Sequence, residues 1–255
     1  MQQQPVDSYL RSGYIIVAAL LQIGLPPNLF GDWVRDRRKA VSRFYMIPTY
    51  VYIDGFNLYY RALKNTPYKW VDLGALYRLL LPQNDILSIK YFTARVNDRP
   101  YDPDQSQRQD KYLRALQSCS NVEVIYGHFL SSSSRMPLAN PSASGPSIVE
   151  VLKTEEKGSD VNIATHILWD AVQNKYQVAA LISNDSDLVC PLQIIRSELR
   201  KTVAILNPAK SHQSTVLRAN ADFWKDIRLT HLQQCQLPNP LKLLNGQVLH
   251  KPLSW

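Results

Sequence analysis

Residues 153–188 read KTEEKGSDVNIATHILWDAVQNKYQVAALISNDSDL and hold the two elements that decide the fold. The apolar residues of VNIATHILWDA recur at helical spacing, which predicts a helix that begins at Asp160. The run VAALIS is almost wholly apolar, as expected of a central parallel strand that is covered on both faces. Asp185 and Asp187 follow that strand directly. The stretch therefore predicts a helix and a buried strand, each with acidic side chains at one end.

The same alternation of apolar strands and amphipathic helices extends through the rest of the chain from residue 49. Repeated strand–helix units predict an α/β fold with three layers, in which a central, mostly parallel sheet is flanked by helices on both sides. The predicted strands cover 49–53, 86–95, 121–129, 148–153, 177–183 and 202–206. The clearest helix start is Asp72, an N-cap residue placed directly before apolar positions at helical spacing.

Three segments have patterns of a different kind. Residues 131–146, SSSSRMPLANPSASGP, are rich in Ser and Pro and predict an exposed, mobile insertion. Residues 214–227, STVLRANADFWKDI, predict a short helix, and residues 231–255 form a proline-containing C-terminal tail without clear periodicity. The predicted domain therefore covers residues 49–230.

Residues 1–48 are expected to be an appended N-terminal arm, which is both basic and apolar. Its apolar run 14–25, YIIVAALLQIGL, has twelve residues, which is too short to span a bilayer comfortably. A membrane anchor and an extension from an upstream start codon are alternative interpretations of the arm. We expect no stable membrane association.

Composition and charge narrow the functional classes. The formal net charge of +8 suits a polyanionic partner such as RNA. The three cysteines, Cys119, Cys190 and Cys235, are far apart and form no CxxC pair, which argues against a zinc site and a disulfide framework and suits the cytoplasm. The sequence has no P-loop, no GxGxxG and no Ser-His-Asp elbow.

Acidic residues stand at the ends of predicted strands and helices. Asp54 follows the first strand, Asp185 and Asp187 follow a later one, and Asp160 opens a helix. In open parallel sheets, ligands bind beyond the carboxyl ends of the strands, so these four carboxylates can meet in one crevice. Clustered carboxylates suit Mg²⁺ or Mn²⁺, which prefer oxygen ligands.

Each acid also has a purely structural interpretation. The residues around Asp160 have the composition of a helix start, so Asp160 could simply be an N-cap. Asp185 and Asp187 lie in SNDSD, where both are common turn formers, and Asp54-Gly55 is a common turn pair. Composition and spacing alone leave the two interpretations open.

Three motifs, in this order, resemble the NYN domain family of PIN-like, FLAP-nuclease-like, metal-dependent nucleases. They are YIDGFNL (52–58), KTEEKGSDVNIATHIL (153–168) and LISNDSDL (181–188). The resemblance implies that Asp54, Asp160, Asp185 and Asp187 are catalytic and hold the metal. It implies a role in binding substrate or a metal-bound water for Asn57, a bond to a neighbouring carboxylate for Ser183, and a phosphate contact for Lys157.

The implied function is a Mg²⁺- or Mn²⁺-dependent nuclease, most readily a ribonuclease, that hydrolyses phosphodiesters. Further segments of the sequence, KYFTARV, DPDQ and EVIYGHFL, resemble a bacterial NYN subgroup with members named 6-hydroxy-3-succinoylpyridine 3-monooxygenase. That resemblance implies an alternative, an NADH-dependent hydroxylation that yields 2,5-dihydroxypyridine in nicotine degradation. A non-catalytic RNA-binding module is the third hypothesis, and such a module has no need of four acids.

Further residues have the chemistry to contact nucleic acid. Arg95, Arg99, Arg108 and Lys111 can line a path for the backbone. Tyr59, Tyr60, Tyr68 and Trp70 can stack on bases, although aromatic residues at such spacing more often pack a core.

Overall fold

All six predicted strands are present in the computed structural model, which describes residues 46–141, 145–243 and 245–255. Within these ranges the strands, in chain order, are β1 (Ile47–Asp54), β2 (Asn84–Thr93), β3 (Val122–Tyr126), β4 (His128–Pro137), β5 (Ile148–Lys157), β6 (Val178–Ile182), β7 (Thr202–Asn207), β8 (Phe223–Asp226), β9 (Leu241–Lys242) and β10 (Val248–Leu249). The helices are α1 (Gly55–Leu58), α2 (Leu73–Leu80), α3 (Gln105–Gln117), α4 (Ser159–Val172), α5 (Val189–Ser197), α6 (Thr215–Ala219) and α7 (Leu229–Gln234). A π-helix (Tyr59–Leu63) continues α1, and a 3₁₀ turn (Ser186–Leu188) precedes α5.

Six strands form one parallel sheet in the order β3-β2-β1-β6-β7-β8. The chain builds outward from β1 in one direction and from β6 in the other, so the order reverses between these two central strands. Open α/β sheets bind ligands beyond the carboxyl ends of the strands at such a switch point. The fold confirms the predicted α/β class with a central parallel sheet between two helical layers.

The central strands are apolar throughout because helices cover both faces of the sheet. Along β1, Val51 and Ile53 belong to one core cluster and Tyr52 to the other. Side chains alternate between the faces of a strand, so neighbouring residues enter different clusters. In β6, Ala180 and Leu181 divide between the two clusters in the same way.

Each helical layer presents an apolar stripe to one face of the sheet. Helices α2, α3 and α7 pack on one side, and α4, α5 and α6 pack on the other. Helix α2 begins as predicted, because the carboxylate of Asp72 accepts a hydrogen bond from the Ala75 amide at 2.9 Å. Such a cap satisfies a backbone donor that has no partner inside the helix.

The prediction of a mobile insertion at 131–146 is wrong for its first half. Strands β4 and β5 pair in an antiparallel hairpin with a register ten residues long. The hydroxyls of Ser131 and Thr154 bond across the hairpin at 2.8 Å, and the Leu138 amide donates to the Ser147 carbonyl at 2.9 Å. The hairpin stands apart from the main sheet and most of its side chains are at least partly exposed, which explains a polar, Ser-rich strand.

The predicted helix at 214–227 is wrong in its second half. Helix α6 ends at Ala219, and Phe223–Asp226 form β8, the edge strand of the sheet. The Asp222 carboxylate accepts a hydrogen bond from the Val203 amide at 2.9 Å and ties this segment to β7. Pairing with an existing sheet therefore overrides the local helical preference.

The C-terminal segment packs on the core. The Leu237 amide donates to the Trp70 carbonyl at 2.8 Å, and the Trp70 indole donates to the Pro238 carbonyl at 3.2 Å. The ring of Trp255 lies 6.3 Å from that of Trp70 and 5.8 Å from that of Tyr112. Residues Ile47–Trp255 thus form one unit.

A buried charge network joins α4 to the sheet. The ammonium of Lys90 in β2 lies 2.5 Å from the carboxylate of Asp170, whose side chain is 1% exposed. That carboxylate also accepts hydrogen bonds from the Tyr52 hydroxyl at 2.9 Å and from the Lys175 ammonium at 3.1 Å. Burial acts to raise the pKa of Asp170, but these three donors outweigh it and hold the pKa below its usual value.

The predicted N-terminal arm, with its apolar run at 14–25, lies outside the described residues except for its last three positions. In the parts of the chain that the structure describes, no helix is long and apolar enough to cross a membrane.

Candidate active site

Two of the predicted acids lie side by side at the switch point of the sheet. Ile53 of β1 pairs with Ile182 of β6, so the residues that follow these strands emerge at the same edge. Asp54 ends β1, and Asp185 follows β6 by three residues. Asp54 is 6% exposed and Asp185 is half-buried.

Ser183 bridges these two positions. Its hydroxyl donates to Asp54 Oδ2 at 3.1 Å and accepts a hydrogen bond from the Asp185 amide at 3.0 Å. The Asn57 amide donates to Asp54 Oδ1 at 2.8 Å, so both oxygens of this carboxylate are held by donors. Hydrogen bonds to the ionised form favour a charged carboxylate at this position.

Two asparagines hold the surrounding loops. The Asn57 side-chain oxygen accepts a hydrogen bond from the Asn184 amide at 3.1 Å. The buried Asn184 side chain donates to the His212 carbonyl at 3.0 Å and accepts from the Ser214 amide at 2.7 Å. Asn184 was not predicted from the sequence, because its partners lie 28 and 30 residues downstream. Its only signal was a polar residue between Ser183 and Asp185.

A glycine determines how closely β1 turns into α1. A Cβ atom on Gly55 would stand 2.6 Å from the Phe92 carbonyl oxygen and 2.8 Å from the Tyr91 ring. Only glycine therefore fits directly after Asp54, where the backbone approaches β2. Burial raises the pKa of Tyr91 and the charge of Asp54 raises it further, so this ring lies close to the acid.

Asp160 does not cap its helix. Helix α4 has Gly158 at the N-cap position, with a φ of +99° and no side-chain cap. Asp160 lies one residue inside the first turn, where the helix dipole favours an anion and its carboxylate remains available. Glu156 accepts hydrogen bonds from the Ser159 amide at 3.2 Å and its hydroxyl at 2.9 Å.

The predicted site residues Asp187 and Lys157 lie farther out. Asp187 is exposed, and its amide donates to Asp185 Oδ1 at 3.0 Å. Lys157 is exposed on β5 and pairs with Glu155 at 3.2 Å. Neither side chain lines the cavity into which the other acids project.

That cavity, which we call the acid crevice, has a volume of about 980 Å³. Asp54, Asn57, Asp160 and Asp185 line it, and of these Asp54 is buried, Asn57 and Asp185 are half-buried and Asp160 is exposed. Its walls come from the hairpin and from the loop that follows β2. Their lining side chains include Phe129, Ser131, Leu152, Thr154, Asn97, Asp98 and Arg99.

The acids of the crevice perturb one another. Burial, together with the charges of Asp160 and Asp185, raises the pKa of Asp54 to about 6, although hydrogen bonds from Asn57 and Ser183 oppose the shift. The pKa of Asp160 is raised by burial and by Asp185, Glu156 and Asp187. Within the described ranges, no Lys, Arg or His lies within ion-pair distance of Asp54, Asp160 or Asp185. In the described part of the chain these three acids therefore have no ion-pair partner, although the side chains of Arg61 and Arg99 line the same crevice.

The donor set of the crevice fits a hard cation. Its oxygen ligands are the carboxylates of Asp54, Asp160 and Asp185 and the amide side chain of Asn57, and it has no thiol or imidazole ligand. Among residues 46–141, 145–243 and 245–255, no three acidic, His or Cys side chains converge as a ready-made metal cluster. Mg²⁺ commonly uses one or two carboxylates and takes its other ligands from water and substrate phosphate, so a closed cluster is not required.

An aromatic row borders the crevice. The Phe56 ring stacks on Tyr60 with centroids 6.4 Å apart and meets the Phe129 ring edge-on at 5.6 Å. Tyr60 is 52% exposed, whereas Trp70 is fully buried and cannot stack on a base. Phe56 and Phe129 were not predicted from the sequence, because their contact depends on where the hairpin lies.

Two of the arginines that were predicted to contact a nucleic-acid backbone are engaged in ion pairs. Arg99 lines the crevice, whereas Arg95 pairs with Asp110 at 3.2 Å. Arg108 donates to both oxygens of Asp102 at 2.5 and 2.6 Å.

Comparison with known proteins places the chain in a family. It is 29% identical over 238 residues to the 6-hydroxy-3-succinoylpyridine 3-monooxygenase HspA of Pseudomonas putida, which covers 81% of this chain and 75% of the relative. A solved structure of a protein of unknown function from Vibrio parahaemolyticus covers 72% of this chain and 95% of its own, with a TM-score of 0.48 and 18% identity. The family model of the NYN domain matches residues 48–227. This chain belongs to the NYN domain family, within the PIN-like nuclease superfamily.

Proposed function

We propose that this protein is a metal-dependent ribonuclease that hydrolyses phosphodiester bonds in the acid crevice. The observation that carries the proposal is that Asp54, Asp160 and Asp185 all line one crevice at the switch point of the sheet. Burial, and after it the charges of neighbouring acids, raises the pKa values of Asp54 and Asp160, and in the described part of the chain neither carboxylate has a cationic ion-pair partner that would offset the repulsion. A bound divalent cation would relieve this repulsion.

In this proposal Asp54, Asp160 and Asp185 hold Mg²⁺ or Mn²⁺. The ion would supply Lewis-acid catalysis of phosphodiester hydrolysis. Ser183 and the backbone of Asn57 orient the Asp54 carboxylate through hydrogen bonds at 3.1 and 2.8 Å. Asp187 acts from the rim, where its charge raises the pKa of Asp160.

The remaining lining suits a single-stranded nucleic acid. Arg61 and Arg99 line the crevice and can meet backbone phosphates, and Phe129 and Tyr60 can stack on bases. The net charge of +8 favours association with a polyanion. Lys157 is proposed to meet a phosphate only after leaving its exposed ion pair with Glu155.

Incubation of the purified protein with labelled single-stranded RNA and Mg²⁺ or Mn²⁺ tests the proposal. We expect cleavage that EDTA abolishes and that the Asp185→Asn variant loses by at least about 100-fold. Asp104→Asn is the matched control, because Asp104 is exposed and its side chain caps no helix. Cleavage that persists in EDTA, or undiminished in Asp185→Asn, would contradict the proposal.

The second candidate is NADH-dependent hydroxylation of 6-hydroxy-3-succinoylpyridine to 2,5-dihydroxypyridine, in which O2 would supply the new oxygen, NADH the electrons, and the succinoyl group would leave as a four-carbon fragment. The name of the Pseudomonas putida relative, 29% identical to this chain, favours it. The sequence has no glycine-rich dinucleotide fingerprint, so its residues do not indicate where NADH would bind. NADH consumption by the pure protein that depends on the pyridine, with release of 2,5-dihydroxypyridine, would establish this activity.

A further inference from the structure

A second cavity, the aromatic pocket, lies beside the acid crevice. Its volume is about 100 Å³. Six of its sixteen lining residues are aromatic, namely Phe56, Tyr59, Tyr60, Tyr91, Tyr112 and Trp255. Such a lining favours a planar ring, which can stack on one wall and meet another edge-on.

The two cavities are continuous along one wall. Phe56 and Tyr60 line both of them, as do Val96 and Gln105. Gly55, which lines the aromatic pocket, is bonded directly to the crevice residue Asp54. A ligand in the aromatic pocket therefore lies next to the acids of the crevice.

The aromatic pocket also carries positive charge. Its lining includes Lys69 and Arg108, and its acidic side chain is Asp102. Asp102 is engaged through both oxygens by one nitrogen of Arg108, which leaves the charge of Lys69 uncompensated within the lining. Burial lowers the pKa of Lys69, and the nearby charges of Arg108 and Lys251 lower it further, as expected in a positive field. The polar edge of the pocket thus favours an anion.

Gln109 makes this edge rigid. Its side-chain oxygen accepts a hydrogen bond from the Val96 amide at 2.9 Å, and its nitrogen donates to the Ala94 carbonyl at 2.9 Å. The loop between β2 and α3 is therefore tied to α3 at Ala94 and Val96, and Val96 lines the aromatic pocket. A pre-formed site of this kind costs little reorganisation when a ligand enters.

We propose that the aromatic pocket binds the pyrimidine base of one nucleotide in the RNA substrate, with a phosphate of that nucleotide against Lys69 and Arg108. This inference rests on the proposed ribonuclease function and adds a base-recognition site to it. An apolar cavity of about 150 Å³ accommodates benzene, so a pocket of about 100 Å³ takes in a single six-membered ring only if part of the ring extends into the adjoining crevice, with which the pocket is continuous. A purine adds a second ring, for which this volume has less room.

The shared chemistry is a planar heteroaromatic ring bearing an anion, and a free aromatic acid also has it. Continuity with the acid crevice favours a nucleotide, because the next phosphate of the strand can then reach Asp54, Asp160 and Asp185. A free acid has no second group that would use the crevice. The experiment below distinguishes the two sources.

Isothermal titration calorimetry in EDTA measures binding without cleavage. We expect 1:1 binding of UMP with a Kd of about 1 mM or tighter. Uridine, which lacks the phosphate, and ribose 5-phosphate, which lacks the base, should each bind at least about tenfold more weakly. AMP should bind more weakly than UMP. Nicotinate, a free aromatic acid, should bind more weakly than UMP.

Two variants with matched controls test the residues. Lys69→Met should weaken the binding of UMP about tenfold and leave the binding of uridine unchanged. Lys242→Met should have no effect on either ligand, because Lys242 is exposed on β9 and lines neither cavity. Tyr59→Leu should weaken the binding of both UMP and uridine. Tyr101→Leu should weaken the binding of neither, because Tyr101 is exposed and lies outside the pocket. Thermal melting verifies that each variant is folded.

The outcomes separate this inference from the ribonuclease proposal. UMP binding that depends on Lys69 would support the base site even if RNA is not cleaved. Cleavage of RNA without measurable UMP binding, or UMP binding unchanged in Lys69→Met, would overturn the base site. Tighter binding of nicotinate than of UMP would overturn the nucleotide assignment in favour of a free aromatic acid. AMP binding as tight as that of UMP would overturn the assignment to a pyrimidine.

Discussion

The hydroxyl of Ser183 donates a hydrogen bond to Asp54 at 3.1 Å, although 129 residues separate the two along the chain. The same hydroxyl accepts a hydrogen bond from the Asp185 amide at 3.0 Å. One buried side chain therefore sets the relative positions of the two acids that follow β1 and β6. Its contribution is electrostatic as well, because the donated bond lowers the pKa of a carboxylate that burial raises.

Replacement of Ser183 by alanine should move the pH dependence of RNA cleavage. Without this donor the pKa of Asp54 rises further above about 6, so ionised Asp54 forms only at higher pH. We expect the acidic limb of the pH–rate profile to shift to higher pH in Ser183→Ala. Ser197→Ala is the control, because Ser197 is exposed on α5 and bonds locally to the Gln193 carbonyl. A profile that does not move would show that Ser183 has no electrostatic role.

Asp54→Asn should stabilise the fold at neutral pH while it removes activity. Asp54 has a pKa of about 6 in the folded protein and 3.8 in the reference state, so the folded protein binds more protons between these values. The free energy of unfolding therefore falls as pH rises through about 4 to 6. An uncharged amide avoids this loss, and we expect a gain on the order of 2 kcal/mol at pH 7.

Urea denaturation of Asp54→Asn at pH 7 and at pH 4 checks this expectation. The gain should be largest at pH 7 and should shrink toward pH 4, where Asp54 of the parent is protonated. Asp104→Asn should change stability by less than about 0.5 kcal/mol, as is usual for exposed positions. A loss of stability in Asp54→Asn at pH 7 would contradict the raised pKa of Asp54, which we attribute to burial and to the charges of Asp160 and Asp185.

Metal binding should depend unequally on the four predicted acids. Asp160 and Asp185 line the crevice, whereas Asp187 is exposed outside it. Mn²⁺ should raise the Tm of the parent by binding the folded state, and more at pH 7.5 than at pH 5.5, where part of Asp54 is protonated. Asp160→Asn and Asp185→Asn should abolish the rise, and Asp187→Asn should keep part of it. An equal rise in all variants would place the ion elsewhere.

Asp170→Asn should destabilise the protein by on the order of 3 kcal/mol, because it leaves the buried ammonium of Lys90 without its carboxylate. The pKa of Asp170 is below its usual value, so its contribution is present above pH 3.8 and is lost as pH falls through the folded pKa. The parent and the variant should therefore differ most near neutral pH.

The double variant Lys90→Met, Asp170→Leu is the control for this pair. Replacing both charges by apolar side chains should recover most of the loss, because no buried charge is then left uncompensated. Chemical denaturation of the three proteins at pH 7 gives the comparison. A double variant as unstable as Asp170→Asn would indicate that the lost stability comes from packing.

The sequence predicted those parts of the fold whose periodicity is set by burial. Strands β1 and β6 read as apolar runs because both of their faces are covered, and the carboxyl ends of parallel strands share one edge. That rule alone located Asp54 and Asp185 on one side of the molecule. The hairpin and β8 escaped prediction because their pairing partners, rather than their own composition, make them strands.

Several contacts of the site are made by loops that are distant in sequence, and no local sequence pattern predicts that these loops meet. Asn184 acts through His212 and Ser214, which belong to the segment before α6. The contact of Phe56 with Phe129 requires a particular direction of the hairpin. Gly158, with a φ of +99°, occupies the N-cap position of α4, so Asp160 lies inside the helix and not at its cap. The metal and its ligands stay a prediction.

The packing of the C-terminal segment has a practical consequence for recombinant fragments. The family match ends at residue 227, yet the Leu237 amide donates to the Trp70 carbonyl and the ring of Trp255 packs edge-on against the Trp70 indole. A fragment cut at that boundary would expose a large aromatic side chain and leave the Trp70 carbonyl without its backbone partner. Exposed apolar surface of this kind promotes aggregation. Expression that ends at residue 227 should therefore yield inclusion bodies, and a fragment of residues 47–255 is the one to purify.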